Sequence, residues 1–297
     1  MSSLINKIQS NIKSNILLDY DMSKSTWFRA GGNALGYVIV NSISDLKKII
    51  SYAEQIKYYI VGVGSNLLVR DGGFDGLIIK LGKNFNKIKI NKDTLSVGAG
   101  VLDVNLAKFA LKNSIKDYEF FSGIPGTIGG AIKMNAGCYG SQTEDNLIRI
   151  LVINNSGKIE YLSKDQLDFK YRSSNLTDEL VVLKADFICK YSSSSEIIEK
   201  KNYIKLKRES SQPIKEKTSG STFKNPFGEY AAVLIEKAGC KGMKIGDASV
   251  STIHSNFIIN NGEATALEIE NLGKKIIKQV QEKFDITLEW EIKIIGT

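Results

Sequence analysis

Ser122-Gly123-Ile124-Pro125-Gly126-Thr127-Ile128-Gly129-Gly130-Ala131, followed by Asn135-Ala136-Gly137-Cys138-Tyr139-Gly140, is the stretch on which the reading of this chain turns. Glycine at this density lets a backbone approach a ligand closely and present successive N–H groups. Several such groups in one turn form a concave anion site, suited to a pyrophosphate without any lysine. From Gly129 onward a helix is expected, whose N-terminal end adds favourable potential. A second stretch, Val61-Gly62-Val63-Gly64-Ser65-Asn66-Leu67-Leu68-Val69, follows a strand and contains Gly-x-Gly. The Rossmann fingerprint asks for a third glycine three residues on and then a helix; Leu67 stands there, and a strand-like run follows. A P-loop is excluded because no Gly-Lys-Ser/Thr is present. Either stretch alone reads equally well as a tight turn. Two of them in one α/β region point to a dinucleotide-type ligand held without a Rossmann fold.

Outward from these loops the pattern is α+β (α/β). Strands are predicted at Tyr37–Val40, Tyr58–Val61 and Leu77–Lys80. A helix lies between the first two, capped by Ser44, with Leu46, Ile49, Ile50, Ala53 and Ile56 on one face. A hairpin follows at Ile88–Ile90 and Leu95–Val97, turning at Asn91-Lys92-Asp93. The next helix carries Leu102, Leu106, Phe109 and Ala110 and stops near Asn113. Leu147–Ile153, Ile159–Leu162 and Leu180–Ile188 are strand-like, with a turn at Asn154-Asn155-Ser156-Gly157. Ser192–Ser195 marks a junction and a helix cap before a charged helix, Glu196–Ser210. The last third has a helix with Ala231, Leu234, Ile235 and Ala238 inward, a strand at Asn256–Asn260, a long helix bearing Ile269, Leu272, Ile276 and Val280, and a closing strand Ile286–Ile295. The expected domains are 1–84, 85–195 and 196–297, with the last strand free to pack on the first of them.

Composition narrows the function. A chain of 297 residues holds two or three compact units, and 42% hydrophobic with 24% charged residues is a globular balance. No apolar run approaches the ~20 residues of a membrane helix. Met1 to Asp21 lacks the layout of a secretory signal, so a cytoplasmic location is expected. Three distant cysteines without a CxxC argue against a disulfide framework or a cysteine-based zinc site. The single histidine, His254, removes mechanisms needing two, and no GxSxG supports a triad. The net charge of +8 is spread along the chain, which fits polyanionic small ligands and not nucleic acid.

Taken together with Thr26-Trp27-Phe28-Arg29-Ala30-Gly31-Gly32, Tyr171-Arg172-Ser173-Ser174, Gly220-Ser221-Thr222-Phe223-Lys224-Asn225-Pro226 and Leu288-Glu289-Trp290-Glu291-Ile292, the two glycine stretches fall in an order and spacing that resemble the MurB family of enolpyruvyl UDP-N-acetylglucosamine reductases. The likeness runs through most of the chain. It implies an FAD-binding fold of the vanillyl-alcohol-oxidase (PCMH) type in the first two domains and a substrate-binding domain in the third. It further implies non-covalent FAD, NADPH as co-substrate and a UDP-sugar substrate in peptidoglycan synthesis; separately, a monomer without membrane insertion is expected. The short distance from Arg172 to the serine run is similar to the subclass that lacks an inserted tyrosine loop.

By the same resemblance, Gly62, Val63, Gly64, Ser65, Asn66, Leu67, Gly123, Ile124, Pro125, Gly126, Thr127, Gly129, Gly130, Ala131, Asn135 and Gly137 bind the cofactor. Ser221 becomes the proton donor, although spacing alone reads it as a loop residue before Phe223. Arg172 and Glu291 become the pair that polarises the substrate carboxyl group. A glutamate beside a carboxylate must be protonated, so a raised pKa is expected for Glu291; Glu289, two residues away on the same face, is the fallback. Lys224 and Asn225 match positions on the UDP moiety. Tyr139 lies near flavin and substrate or serves packing, and Cys138 stands where the family commonly has alanine. The alternative is an FAD-dependent oxidase or dehydrogenase of the same fold acting on an alcohol or hydroxy acid.

Overall fold

The computed structural model describes residues 2–297 and divides into two compact units. The first comprises the chain up to Leu18, Gly36–Gly62 and Gly76–Lys207; the second comprises Asp19–Leu35, Val63–Asp75 and Arg208–Thr297.

The first unit holds one whole sheet and the larger part of another, whose strand ends at 19–21, 33–35 and 74–75 are counted with the second unit. One has the order Ile16–Asp21, Asn33–Val40, Phe74–Leu81, Lys57–Val61, with the last two strands parallel. The other is antiparallel: Ile159–Ser163, Leu147–Ile153, Val181–Ile188, Thr94–Gly98, Ile88–Asn91. Its hairpin turns at Lys92 and Asp93, where Lys92 takes φ 52°. Alternating apolar residues such as Leu95 and Val97 are fully buried, as period two requires. The helix after the first strand pair, Ile43–Ile50, is capped by Ser42 and not by Ser44: Ser42 is extended, and its Oγ accepts from Asp45 N at 3.0 Å. Ser44 already lies inside the helix, where a hydroxyl cannot reach forward to the free N–H groups. The helix Ser2–Asn11 is not signalled by the pattern of its residues. Its C-terminal side is tied down by the buried Asp45, whose carboxylate accepts from Lys13 N, Ser14 N and Ser14 Oγ.

The second unit centres on the helix Ala266–Phe284, which buries Ile269, Leu272, Ile276 and Val280. Thr265 and Glu268 form a capping box, and the Asp71 carboxylate accepts from the N–H groups of Ala266 and Leu267. Against it pack the helix Ala231–Lys237 and a small sheet of Lys244–Ile245, Ala248–Val250 and Ile258–Asn260. The closing strand is shorter than its sequence suggested, only Lys293–Ile295, and pairs in parallel with Leu67–Val69. Residues ahead of it take a different partner: Trp290 bridges Phe223, their ring centroids 4.9 Å apart. Glu270 is buried between Arg70 (2.8 Å) and Lys274 (2.8 Å); the hydrogen bond from Arg70 is the main cause that pulls its pKa down to about 2. Arg70 also donates to Gly296 O, pinning the end of the closing strand.

Among the described residues no helix is long and apolar enough to cross a membrane, and no cluster of three or more His, Cys, Asp or Glu side chains could hold a metal ion. All three cysteines are free thiols.

Candidate active site

In the first unit the stretch from Gly123 to Ala131 is pinned at chosen points and open at others. Asp103 N donates to Gly126 O, Ile128 N to Val101 O and Gly129 N to Ala99 O. The helix Ile128–Lys133 begins there, one residue ahead of its expected start. The N–H groups of Gly126, Thr127 and Gly130 find no acceptor, and Thr127 Oγ1 does not cap the helix. Instead Thr127 Oγ1 sits against Gly62, where a β-carbon would lie 2.6 Å from it. The two glycine stretches therefore meet at Gly62, where a larger residue would have to displace the Thr127 side chain. In the second unit, where the loop continues, the N–H groups of Val63, Gly64 and Asn66 are also unpaired. Unpaired amides in turns without side-chain bulk suit the oxygens of a dinucleotide pyrophosphate.

Arg172 lies in the first unit at the tip of a tight turn. Lys170 and Ser173 exchange both backbone hydrogen bonds, at 3.0 and 3.1 Å, and Arg172 takes φ 54°. Its Nη2 donates to Gly137 O at 2.6 Å, and the guanidinium lies 4.8 Å from the Tyr171 ring centroid. Asn135, fully buried, sets this turn: Nδ2 donates to Lys170 O and Glu144 Oε1, and Oδ1 accepts from Glu144 N. The Asn135 side chain thus bonds to protein partners and ties the 135–144 segment to the Arg172 turn. Tyr139 is exposed and packs edge-on to Tyr203 at 6.4 Å. Cys138 Sγ donates to Phe120 O at 3.3 Å.

Ser221, Lys224, Asn225 and Glu291 lie in the second unit. The segment Ser221–Lys224 is held from both sides. On one side Ser221 bridges Phe257 and Thr222 N donates to Asn256 O; on the other Glu291 N donates to Thr222 O and Lys224 N to Glu289 O. Asn256, buried, adds a two-point clamp on Phe223: Oδ1 accepts from Phe223 N at 3.0 Å and Nδ2 donates to Phe223 O at 2.8 Å. Asn66 Nδ2 donates to Glu291 O at 3.1 Å, so the second glycine stretch and the terminal segment share a bond. Ser221 is half-buried, and its hydroxyl has no partner among the described residues. Glu289 is exposed and paired with Lys224 at 3.0 Å, whereas Glu291 is half-buried. Asn225 Oδ1 accepts from Ala231 N and so caps the following helix. His254 lies edge-on to Phe257, and burial lowers its pKa.

Residues 212–295 match the C-terminal domain of UDP-N-acetylenolpyruvoylglucosamine reductase, and residues 34–163 match an FAD binding domain. The reductase of Rickettsia conorii is 45% identical over 286 residues, covering 96% of this chain and 97% of that protein. The chain belongs to the UDP-N-acetylenolpyruvoylglucosamine reductase family. Another member, from Rickettsia bellii, is 44% identical over 287 residues, covering 96% of this chain and 95% of its own. The crystal structure of the Thermus caldophilus member superposes with a TM-score of 0.83 at 32% identity, covering 95% of this chain and 98% of that one. A berberine bridge enzyme variant shares the fold alone, at TM-score 0.51 and 14% identity over 65% of this chain and 44% of its own. The family and the flavoprotein fold read from the motifs are borne out, and FAD is the cofactor that the matched domain binds.

Two residues that shape this site escaped the sequence. Asn256 reads as the first polar residue of a strand; the available signal is an amide immediately ahead of the apolar run Phe257-Ile258-Ile259. Asp103 stands in the first turn of a helix, a favourable place for an acid, so its position alone carries no signal of this role.

Proposed function

We infer that this chain reduces the enolpyruvyl ether of enolpyruvyl UDP-N-acetylglucosamine to UDP-N-acetylmuramate, with NADPH as reductant and FAD as bound cofactor. The observation that carries this is the 45% identity over 96% of the chain to a reductase of that name. Bound FAD supplies the hydride chemistry, and the protein supplies geometry, charge and a proton.

The residues take these parts. Unpaired amides at Gly126, Thr127 and Gly130 would hold the dinucleotide pyrophosphate, and Val63, Gly64 and Asn66 match the other cofactor-binding stretch by resemblance. Arg172, held by its bond to Gly137 O, places its positive charge toward the substrate carboxylate as negative charge builds there. Glu291 acts from its half-buried position as a protonated acid on the same carboxylate, a role supported by the commitment of Glu289 to Lys224. Ser221, on a segment restrained from both sides, delivers its hydroxyl proton to the carbon next to the carboxylate. Such a group donates only to a strongly basic carbon held within hydrogen-bond reach. Lys224 and Asn225 face the UDP moiety, Lys224 exchanging Glu289 for phosphate. Residues 1–195 bind FAD, residues 196–297 bind the UDP-sugar, and the enzyme works as a cytoplasmic monomer.

The test is spectroscopic. The purified protein should be yellow, bleach with NADPH under anaerobic conditions, and regain colour on adding the enolpyruvyl UDP-sugar. Recolouring with oxygen alone, and indifference to that sugar, would favour an oxidase of the same fold and overturn the reading.

A further inference from the structure

Asp103 opens the helix Asp103–Lys112, and its carboxyl is fully buried with neither oxygen bonded to any group. A buried polar group without a partner is destabilising, and an ionised one more so. What stands against it is the turn of the second glycine stretch. Asp103 N donates to Gly126 O at 3.1 Å, Leu102 pairs with Thr127, and Asp103 Oδ2 lies 2.5 Å from where a β-carbon on Gly126 would be. Asp103 thus backs the Gly126–Thr127 turn from inside, and Thr127 in turn packs on Gly62.

We propose that Asp103 is the positioning residue of the cofactor cradle, a neutral carboxylic acid whose hydrogen bonding is completed only when FAD is seated, so that FAD affinity follows the protonation of this one side chain. This rests on the reading of the two glycine stretches as an FAD site.

The surroundings agree with a neutral acid. Burial alone pushes the Asp103 pKa well above the usual carboxylate range, and no charged neighbour contributes. Segments 99–102 and 126–129, which pack on it, carry no titratable side chain. On the same helix Lys108 and Lys112 are exposed, and on the neighbouring turn Glu119–Gly123 the buried Glu119 is itself pushed up by burial. Ionising Asp103 would place a charge with no donor behind a turn that must accept an anionic diphosphate. By linkage, one proton lost from this acid should cost FAD about tenfold in affinity per pH unit on the alkaline side.

The experiment follows FAD release from the holoprotein by flavin fluorescence between about pH 6 and pH 10, for wild type, Asp103→Asn and Asp103→Leu. Wild type should lose affinity about tenfold per pH unit on the alkaline limb. Asp103→Asn, neutral at every pH, should bind within a few-fold of wild type near neutrality and show no such limb. Asp103→Leu has the same branching without polar atoms. It should weaken FAD by about tenfold or more while the apoprotein Tm stays level or rises, since an orphaned polar group is removed. A wild-type profile flat across the range, or one shared by Asp103→Asn, overturns the proposal; so does Asp103→Leu with wild-type affinity. If Asp103→Leu does not fold, the Asp103→Asn profile decides. A protein that takes up no FAD at all instead sinks the underlying assignment of the two loops.

Discussion

The glycine stretch 123–131 and the segment 221–224 are both short and polar, yet they are built on opposite rules. The first leaves three N–H groups without acceptors and a buried carboxyl without a donor. The second is bonded on both edges, with an asparagine clamping Phe223 besides. Missing partners mark a surface completed by a ligand. Surplus restraints mark a place where one small group must be aimed. A serine hydroxyl is a weak acid, so its value lies in where it points, and rigidity is the property such a residue requires.

The sharpest way to break this contrast is Ser221→Ala. It should lower the rate of substrate reduction by about 10²–10⁴-fold and leave reduction of the flavin by NADPH near normal, read by stopped-flow absorbance. Equal loss in both half-reactions would mean the segment is structural and not an aimed donor. Next in size is Asn256→Ala, which strands a buried N–H and C=O of Phe223. About 2–4 kcal/mol of stability should be lost, measured from urea midpoints, with a parallel loss in substrate reduction. A variant that loses stability but keeps its rate would show that aim does not depend on this clamp. Third is the ion cluster of Glu270, whose pKa is depressed to about 2 from an ordinary 4.5. A depressed carboxylate stabilises above its unfolded pKa and stops doing so as pH falls, so this contribution should fade between pH 4.5 and about 2. Its size, allowing for the exposed partners Arg70 and Lys274, is about 1–3 kcal/mol, and Glu270→Gln should flatten that part of the stability–pH curve. The smallest effect is expected from Arg172→Lys. Losing the planar fork, and with it the bond to Gly137 O, should cost on the order of tenfold in substrate reduction, about 1.5 kcal/mol.

Strong periodicity made parts of this fold readable in advance. Ile269, Leu272, Ile276 and Val280 announce a buried helical face, and that helix is where expected. The helix Ser2–Asn11 was not visible because its apolar residues are spaced among Asn, Ser and Lys and gain meaning only from packing; Ile5 and Ile8 are both fully buried. The cap at Ser42 was misread as Ser44 because two serines stand two residues apart, and only the backbone angles choose between them. The closing strand was overextended because its partner, Leu67–Val69, is far away in sequence and engages just three residues. At the site, glycine was legible because its absence of side chain is itself the signal. Asp103 and Asn256 were not, because their roles arise from burial, which is tertiary.

The parallel pairing of Lys293–Ile295 with Leu67–Val69, together with the bond from Asn66 to Glu291 across 225 residues, sets a clock on biogenesis. At about 5–20 residues per second, a ribosome needs roughly 11–45 s between making Asn66 and making Glu291. Throughout that interval the nascent polypeptide carries an unfinished half-loop. Vitamin capture should therefore be a late, post-synthetic event, and a message cut short by even a handful of codons should yield colourless product.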